Sequence, residues 1–490
     1  MSKRSATESA WSSRSLGFRL DLLGRFAGRL LAERESLLTL LGALRPHCSR
    51  AELTTSELIP LLDNIEFLRK QSAEILKPER LGRRGQPVWL LGVDSVVYRE
   101  ALGRVLILGP SNYPLFLPMV KAMYAWAAGN TVWLKSAPGS LALHDRVRDL
   151  FLSVGGPAEV FRLLGESNES YTQALAEGVD KVVLVGSAAT GEVVLAQAGR
   201  ALVPALAELS GWDAVFVHPE ADLAQAASAV AFGLALNGGR TCVAPRRIFF
   251  RGEVERFEEL LDQALRVRPR VPLSEGELRL AEEARSRGVR VLGGGDGPLV
   301  LSRIGRDHPL LREDSFGALA VLCVCESDDE ALELAAASPH ALGASLFGPL
   351  PWAEGLAHRV PGHMVSLNDL IVTAADPRVP FGGSGRSGFG RMRGREGLLE
   401  MTATRVVSTR RGGTTDHLRP PGAADDAIIE RFLLLAHAAG WPSKAKALAE
   451  MIFLIGRERV RVRRARRREA ASSGGVPVGA PGGVRPGGPG

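Results

Sequence analysis

Cysteine is scarce in this chain: Cys48, Cys242, Cys323 and Cys325 are the only four among 490 residues. Their number and spacing exclude a disulfide framework. Long apolar runs are missing as well. No stretch approaches the ~20 residues that a membrane-spanning helix needs, so no transmembrane segment is expected. The first 20 residues carry charges and serines throughout, without the apolar core of a secretory signal. Glu8 and the Ala/Gly/Arg bias argue against a transit peptide. These absences point to a cytoplasmic protein. What remains is the composition of a globular chain, 45% hydrophobic and 23% charged, long enough for two or three domains.

The net charge of +7 sits at one end. Residues 457–490 hold nine arginines against Glu458 and Glu469, which accounts for all of it. Any anionic partner, whether membrane surface, nucleic acid or acidic protein, is therefore expected at the Arg-rich tail and not at the body.

Apolar residues recur at three and four spacings over residues 16–80, which predicts helices. Residues 87–108 alternate and become β-branched, which predicts a hairpin near 87–102 feeding a parallel strand. Strand-like runs then alternate with helical ones: TVWLK, KVVLVG, DAVFVHP, RRIFF and ALAVLCVCE, with helices at 221–236, 254–266 and 328–338 among them. This alternation predicts a doubly wound α/β chain. Cys323 and Cys325 alternate along VLCVC, so both face one side of a strand as core filler, not as a metal pair. Residues 412–426 read as a linker. Two amphipathic helices follow at 428–439 and 443–455, broken at Gly440-Trp441-Pro442. Beyond the arginine run, residues 473–490 read as disordered.

The chemistry concentrates at NGGRTCVAPRR, residues 237–247. Asn237, Gly238 and Gly239 form a tight turn that brings backbone close to a substrate, and Cys242 follows it. Most isolated cysteines are buried hydrophobes. Here Arg240, Arg246 and Arg247 flank the thiol and could favour a thiolate, which makes it a candidate nucleophile. Glu208, in AELSGWD, lies 34 residues upstream.

Four segments together resemble the aldehyde dehydrogenase superfamily over about residues 50–410: GPSNYPLFLP with AAGNTVWLK (109–135), KVVLVGSAATG (181–191), ELSGWD with NGGRTCVAPRR (208–247), and REDSFG with SPHALGASLFG and PFGGSGRSGFGR (312–391). The resemblance implies an α/β fold with a Rossmann-type NAD(P) domain including the N-terminal helices (1–209), an α/β catalytic domain (210–402), small bridging strands (403–411, with the hairpin) and a C-terminal extension (412–490). It implies oxidation of a small-molecule aldehyde to a carboxylic acid with NAD or NADP, in a homodimer or higher oligomer whose last strand crosses to a neighbour. In that scheme Cys242 is the nucleophile, Asn112 and the Cys242 N–H hold the oxyanion, and Glu208 activates water. Lys135 holds the adenosine ribose. In GSAATG, Gly186, Ser187 and Gly191 form the turn and helix start that receive the pyrophosphate. Asp314 and Phe316 hold the nicotinamide end, and no metal is implied. Asn368 is structural or substrate-facing.

Departures from the family's pattern bear on the cofactor. Pro138 stands where an acidic residue usually bonds the ribose, which removes a repulsion against a 2′-phosphate and leaves NAD against NADP open. Asp314 is one methylene shorter than the usual glutamate, with Glu313 beside it. Ser111 replaces an aromatic residue. A connecting segment is shortened between Val267 and Gly276. Two rival functions follow: acyl transfer to coenzyme A, against which Glu208 argues, and a non-catalytic scaffold, against which Cys242, Glu208, Asn112 and Lys135 together argue.

Overall fold

The computed structural model describes residues 10–87, 90–295, 297–312, 315–412, 418, 420, 422 and 425–472. The chain divides into two compact units, Met1–Arg84 with Asp94–Thr409, and Gly85–Val93 with Arg410–Gly490.

In the first unit, helices Leu16–Ala32, Arg34–Leu44 and Ile59–Ile75 open the chain. Ser15 caps the first by accepting from the Phe18 N–H. Their apolar stripes bury Leu23, Phe26, Leu30, Leu61, Ile65 and Leu68. Helix Phe116–Ala128 was not foreseen as a separate element. It is buried on every face from Pro118 to Ala128, because it packs on both the N-terminal helices and a sheet. A helix that is apolar all round belongs in such a position. Its one charged residue is Lys121.

That sheet has six strands. Phe161–Leu164, Thr131–Lys135, Arg104–Leu108, Lys181–Val185 and Ala205–Glu208 run parallel in this order, and Gly388–Phe389 closes the edge antiparallel to Ala205–Glu208. The strand order reverses between Arg104–Leu108 and Lys181–Val185, and crevices at such reversals receive ligands at the carboxyl ends of strands. A second sheet of seven strands orders Arg290–Gly293, Leu299–Ser302, Leu319–Cys325, Pro245–Arg251, Asp213–Val217, Gly343–Phe347 and Met364–Leu367. All its pairings are parallel except the first. Cys323 and Cys325 are buried on one face of their strand while Val324 is exposed, as the alternation requires.

A third, three-stranded sheet joins Glu79–Leu81, Val93–Ala101 and Thr402–Arg410. The expected hairpin is displaced: Glu79–Leu81 pairs with Ser95–Val97, and no strand covers the described residues of 82–92. The Gln86 amide donates to the Leu90 and Val93 carbonyls, which folds this segment back on itself.

The second unit holds helices Asp425–His437 and Trp441–Ser472, packed on each other. Arg431 pairs with Glu450 at 2.5 Å, and Gly440 turns the chain at φ 83°. The second helix runs past 455 through the arginines, since Arg and Ala are good helix formers. The expectation for 473–490 falls outside the described residues.

Candidate active site

The carboxyl ends of the first sheet assemble most of the expected site. Asn112 follows strand Arg104–Leu108, Lys135 ends Thr131–Lys135, Gly186 and Ser187 follow Lys181–Val185, and Glu208 ends its own strand. Cys242 arrives from the other sheet, after the turn Leu236–Gly239. There Asn237, Gly238 and Gly239 all take left-handed φ values of 54°, 63° and 70°. A Cβ on Gly239 would fall 2.2 Å from the Gly317 carbonyl, and one on Gly211 would fall 2.1 Å from the Cys242 carbonyl. Only glycine permits either approach.

Hydrogen bonds tie the turn to the Asn112 loop. The Asn112 Nδ2 donates to the Arg240 carbonyl at 3.0 Å, and the Asn237 Nδ2 donates to the Asn112 carbonyl at 2.9 Å. The Tyr113 hydroxyl meets Thr241 Oγ1 at 2.6 Å. Behind the turn, Arg45 Nε and His47 Nε2 donate to Asn237 Oδ1, and Arg45 pairs with buried Glu57 at 2.7 Å. Glu57 Oε2 also accepts the Leu115 and Phe116 N–H groups. The N-terminal segment therefore braces the turn that precedes Cys242, a function that its periodicity did not disclose.

Cys242 is half-buried at a cavity of about 420 Å³, lined also by Tyr113, Lys121, Glu208, Thr241, Phe381 and Arg393 within a mainly apolar wall. Burial pushes its thiol up to about 12. The nearby carboxylates of Asp213 and Glu208 add to this, and Lys121 opposes it. The flanking arginines do not act as expected. Arg246 donates to the Gly239, Thr241 and Gly317 carbonyls, and Arg247 to those of Trp212, Leu311 and Ala335. Arg240 is exposed. Buried guanidinium groups need acceptors, and the backbone supplies them here. The cations that bear on the thiol are Lys121 and Arg393.

Glu208 is neither in a loop nor in solvent. It is buried at its strand end, and Oε2 accepts from the Lys121 ammonium at 2.7 Å. Oε1 is buried with no hydrogen-bond partner among the described residues. Lys121 was missed, although a lysine in the otherwise apolar FLPMVKAMYAWAA was a usable signal. Arg393, another buried cation at this cavity, gave no signal among its neighbouring arginines. Asn368 does not line the cavity. Its side chain bonds the Gly348 N–H and carbonyl, which makes it structural.

The cofactor candidates lie along the same sheet edge. Ser187 caps helix Ala188–Arg200, with Oγ accepting from the Thr190 N–H. Gly186 is half-buried and Ser187 is exposed before this helix start. Such a start, at the strand-order reversal, fits a pyrophosphate. Gly191 instead faces Leu209, which a Cβ would approach to 2.8 Å, so it serves helix–strand packing. Lys135 is half-buried, and burial lowers its pKa while Glu166 opposes. Glu166 was also missed. Its carboxylate accepts the Gly139 and Leu141 N–H groups at 2.9 and 2.8 Å, across the turn that contains Pro138, and these bonds hold its pKa down. Phe316 is 46% exposed, with Arg246 beside its ring at 5.8 Å. Asp314 and Glu313 lie outside the described residues. Among the described residues no His, Cys, Asp and Glu cluster could hold a metal, and no helix is long and apolar enough to cross a membrane.

The model of the aldehyde dehydrogenase family matches residues 2–407. A protein of Mycobacterium ulcerans that bears the name of a succinate-semialdehyde dehydrogenase [NADP(+)] is 27% identical over 453 residues, covering 86% of each chain. The 4,4′-diapolycopene aldehyde oxidase of a Methylomonas species is 27% identical over 376 residues, 72% of this chain and 70% of that one. The crystal structure of PnpE from Pseudomonas sp. WBC-3 in complex with nicotinamide adenine dinucleotide superposes with a TM-score of 0.76 at 25% identity, over 84% of this chain and 89% of that one. The chain belongs to the aldehyde dehydrogenase family, and it is an oxidoreductase that acts on an aldehyde with NAD or NADP.

Proposed function

We propose that Cys242 carries the covalent chemistry and that Glu208 completes it by hydrolysis. The observation that carries this reading is one cavity lined by both side chains, with Asn112 hydrogen-bonded to the turn that precedes Cys242. The Cys242 thiol gives up its proton to solvent and the sulfur bonds the aldehyde carbon, breaking the C=O π bond and forming a thiohemiacetal anion. Negative charge on the former carbonyl oxygen is met by the Asn112 amide and the Cys242 N–H. NAD or NADP, when bound, would supply the hydride acceptor for that carbon. Lys135, Ser187 and the start of helix Ala188–Arg200 would hold its adenosine and pyrophosphate end, and Phe316 would stand at the other. The thioester left on Cys242 is opened by water, whose proton passes to Glu208. The acid departs and the thiol is restored. The unpartnered Oε1 of Glu208 is the atom free to accept that proton.

Lys121 holds Glu208 between turnovers as a positioning residue. We assign residues 1–209 to the cofactor domain, 210–402 to the catalytic domain and 403–411 to a bridging strand. A second copy is expected to cover Val406 and Val407, which are exposed on strand Thr402–Arg410, giving at least a homodimer in the cytoplasm. The extension 412–490 is a separate element for an anionic partner.

The deciding experiment compares Cys242→Ala and Glu208→Gln with the parent over an aldehyde panel. Cys242→Ala is expected to abolish oxidation while cofactor binding persists. Glu208→Gln is expected to slow steady turnover by ~10²–10⁴-fold, with a retained burst of reduced cofactor and an acyl-enzyme detectable by mass. Normal turnover in Cys242→Ala, or unimpaired acyl-enzyme hydrolysis in Glu208→Gln, overturns the assignment.

A further inference from the structure

Arg393 occupies an unusual place. It is 4% exposed and lines the cavity that holds Cys242 and Glu208. Its backbone sits at φ 62°, ψ 173°, a region that side chains rarely adopt outside glycine. The neighbouring chain fixes this conformation: the Gly394 N–H donates to the Pro377 carbonyl, and Phe381 and Met392 exchange backbone hydrogen bonds. The guanidinium lies over the Phe381 ring at 4.8 Å and donates through Nη1 to the Ala374 carbonyl. Among the described residues, no carboxylate lies within ion-pair distance of it.

The buried charges of the cavity do not pair off. Its buried charged side chains, apart from the Cys242 thiol, are Lys121, Glu208 and Arg393, beside the phenol of Tyr113, with the Asp369 carboxylate exposed. Lys121 and Glu208 satisfy each other at 2.7 Å. Arg393 is left without an ion pair in a wall that is otherwise mainly apolar, with Glu208 and Asp376 acting on it only from beyond that range. A buried guanidinium with a single neutral acceptor has unused donors and incurs a desolvation cost, and a carboxylate would meet both deficits through charge-assisted bonds. The aldehyde is the component that enters this cavity and leaves it.

We propose that Arg393 is the anion-recognising residue of the substrate cavity, and that the enzyme selects aldehydes bearing a carboxylate, the ω-oxo acids. The proposal rests on the reading of Cys242 and Glu208 as the site of aldehyde oxidation. An oxo acid places its aldehyde at Cys242, its methylenes on the apolar wall and its carboxylate at Arg393. The matched alkanal makes the first two contacts only.

The test measures kcat and KM for ω-oxo acids of four to eight carbons and for alkanals of the same lengths, with the parent, Arg393→Met and Arg393→Lys. The parent is expected to favour an oxo acid over its alkanal. Arg393→Met should lower kcat/KM for that oxo acid by about 10²-fold, about 2.7 kcal/mol, chiefly through KM, with a much smaller loss for the alkanal. Arg393→Lys should recover part of the preference. An equal fall for both substrates would assign Arg393 to Cys242 or Glu208 and overturn the proposal, as would a parent with no preference for oxo acids. If the parent oxidises neither class, the underlying reading of the site fails instead. A readout without turnover covers a poorly folded variant: adipate should protect parent Cys242 from iodoacetamide better than hexanoate does, and equal protection counts against the proposal.

Discussion

Cys242 rests as a thiol, not as the thiolate that its arginine-rich neighbourhood promised. Burial and two carboxylates favour the neutral form and outweigh Lys121 and the Cys242 backbone N–H, which oppose them. With a pKa of about 12 the thiolate fraction at pH 8 is about 10⁻⁴. The sign is fixed: a raised acid pKa means that reactivity keeps climbing with pH. Alkylation of the enzyme alone by iodoacetamide should therefore rise about tenfold per pH unit between pH 7 and 10, because only the thiolate reacts. A plateau below pH 9 would contradict this. Lys121→Met should slow the reaction further, by removing the cation, and Glu208→Gln should speed it, by removing an anion. Lys121→Met is also expected to cost about 3–5 kcal/mol of stability, since it strands the buried Glu208 carboxylate.

Helix starts decide the cofactor question. The sequence at Pro138 lacks the acid usual there, and on that ground NADP would be tolerated. The tertiary structure returns a carboxylate to the same turn from a distant segment: Glu166, after strand Phe161–Leu164, bonds the N-terminus of helix Leu141–Ser153 and interacts with Lys135. A carboxylate there opposes a 2′-phosphate and favours NAD, given that Lys135 holds the adenosine ribose. Glu166→Gln should shift the ratio of dissociation constants toward NADP by about five- to tenfold, the size of a charge effect at a helix end. Quenching of protein fluorescence by each oxidised cofactor measures it without turnover. An unchanged ratio would place the 2′ position elsewhere. Helix Ala188–Arg200, by contrast, starts at Ser187, which is exposed and caps it.

At the scale of the whole chain, the net positive charge and a set of exposed apolar residues meet in the second unit. In the second unit, Ile429, Leu433, Trp441, Ile452 and Phe453 are all more than half exposed, and the arginines of 457–468 follow on the same helix. Such a pair of features suits an anionic lipid surface. Removal of residues after Gly412 should leave aldehyde oxidation intact and abolish co-sedimentation with phosphatidylserine vesicles at low salt. High salt should release the full chain, because the Debye length shortens. A full-length protein that ignores these vesicles at low salt refutes the membrane assignment. The family and the isolation of net charge in the tail were legible from the sequence, because each depends on residue type and order, and so were Cys242 and Glu208 as candidates, which the structure brings to one cavity. The strands were legible because apolar residues alternate with helical stretches over short distances. The state of the site was not. Lys121 meets Glu208 across 87 residues, Arg246 and Arg247 turn onto backbone carbonyls, Glu166 returns to a turn 25 residues behind it, and Arg393 is buried beside the cavity. Sequence order fixed which ionisable groups this protein owns. Only the tertiary structure decided which of them face one another, because electrostatic energy depends on distance and burial, and separation along the chain controls neither.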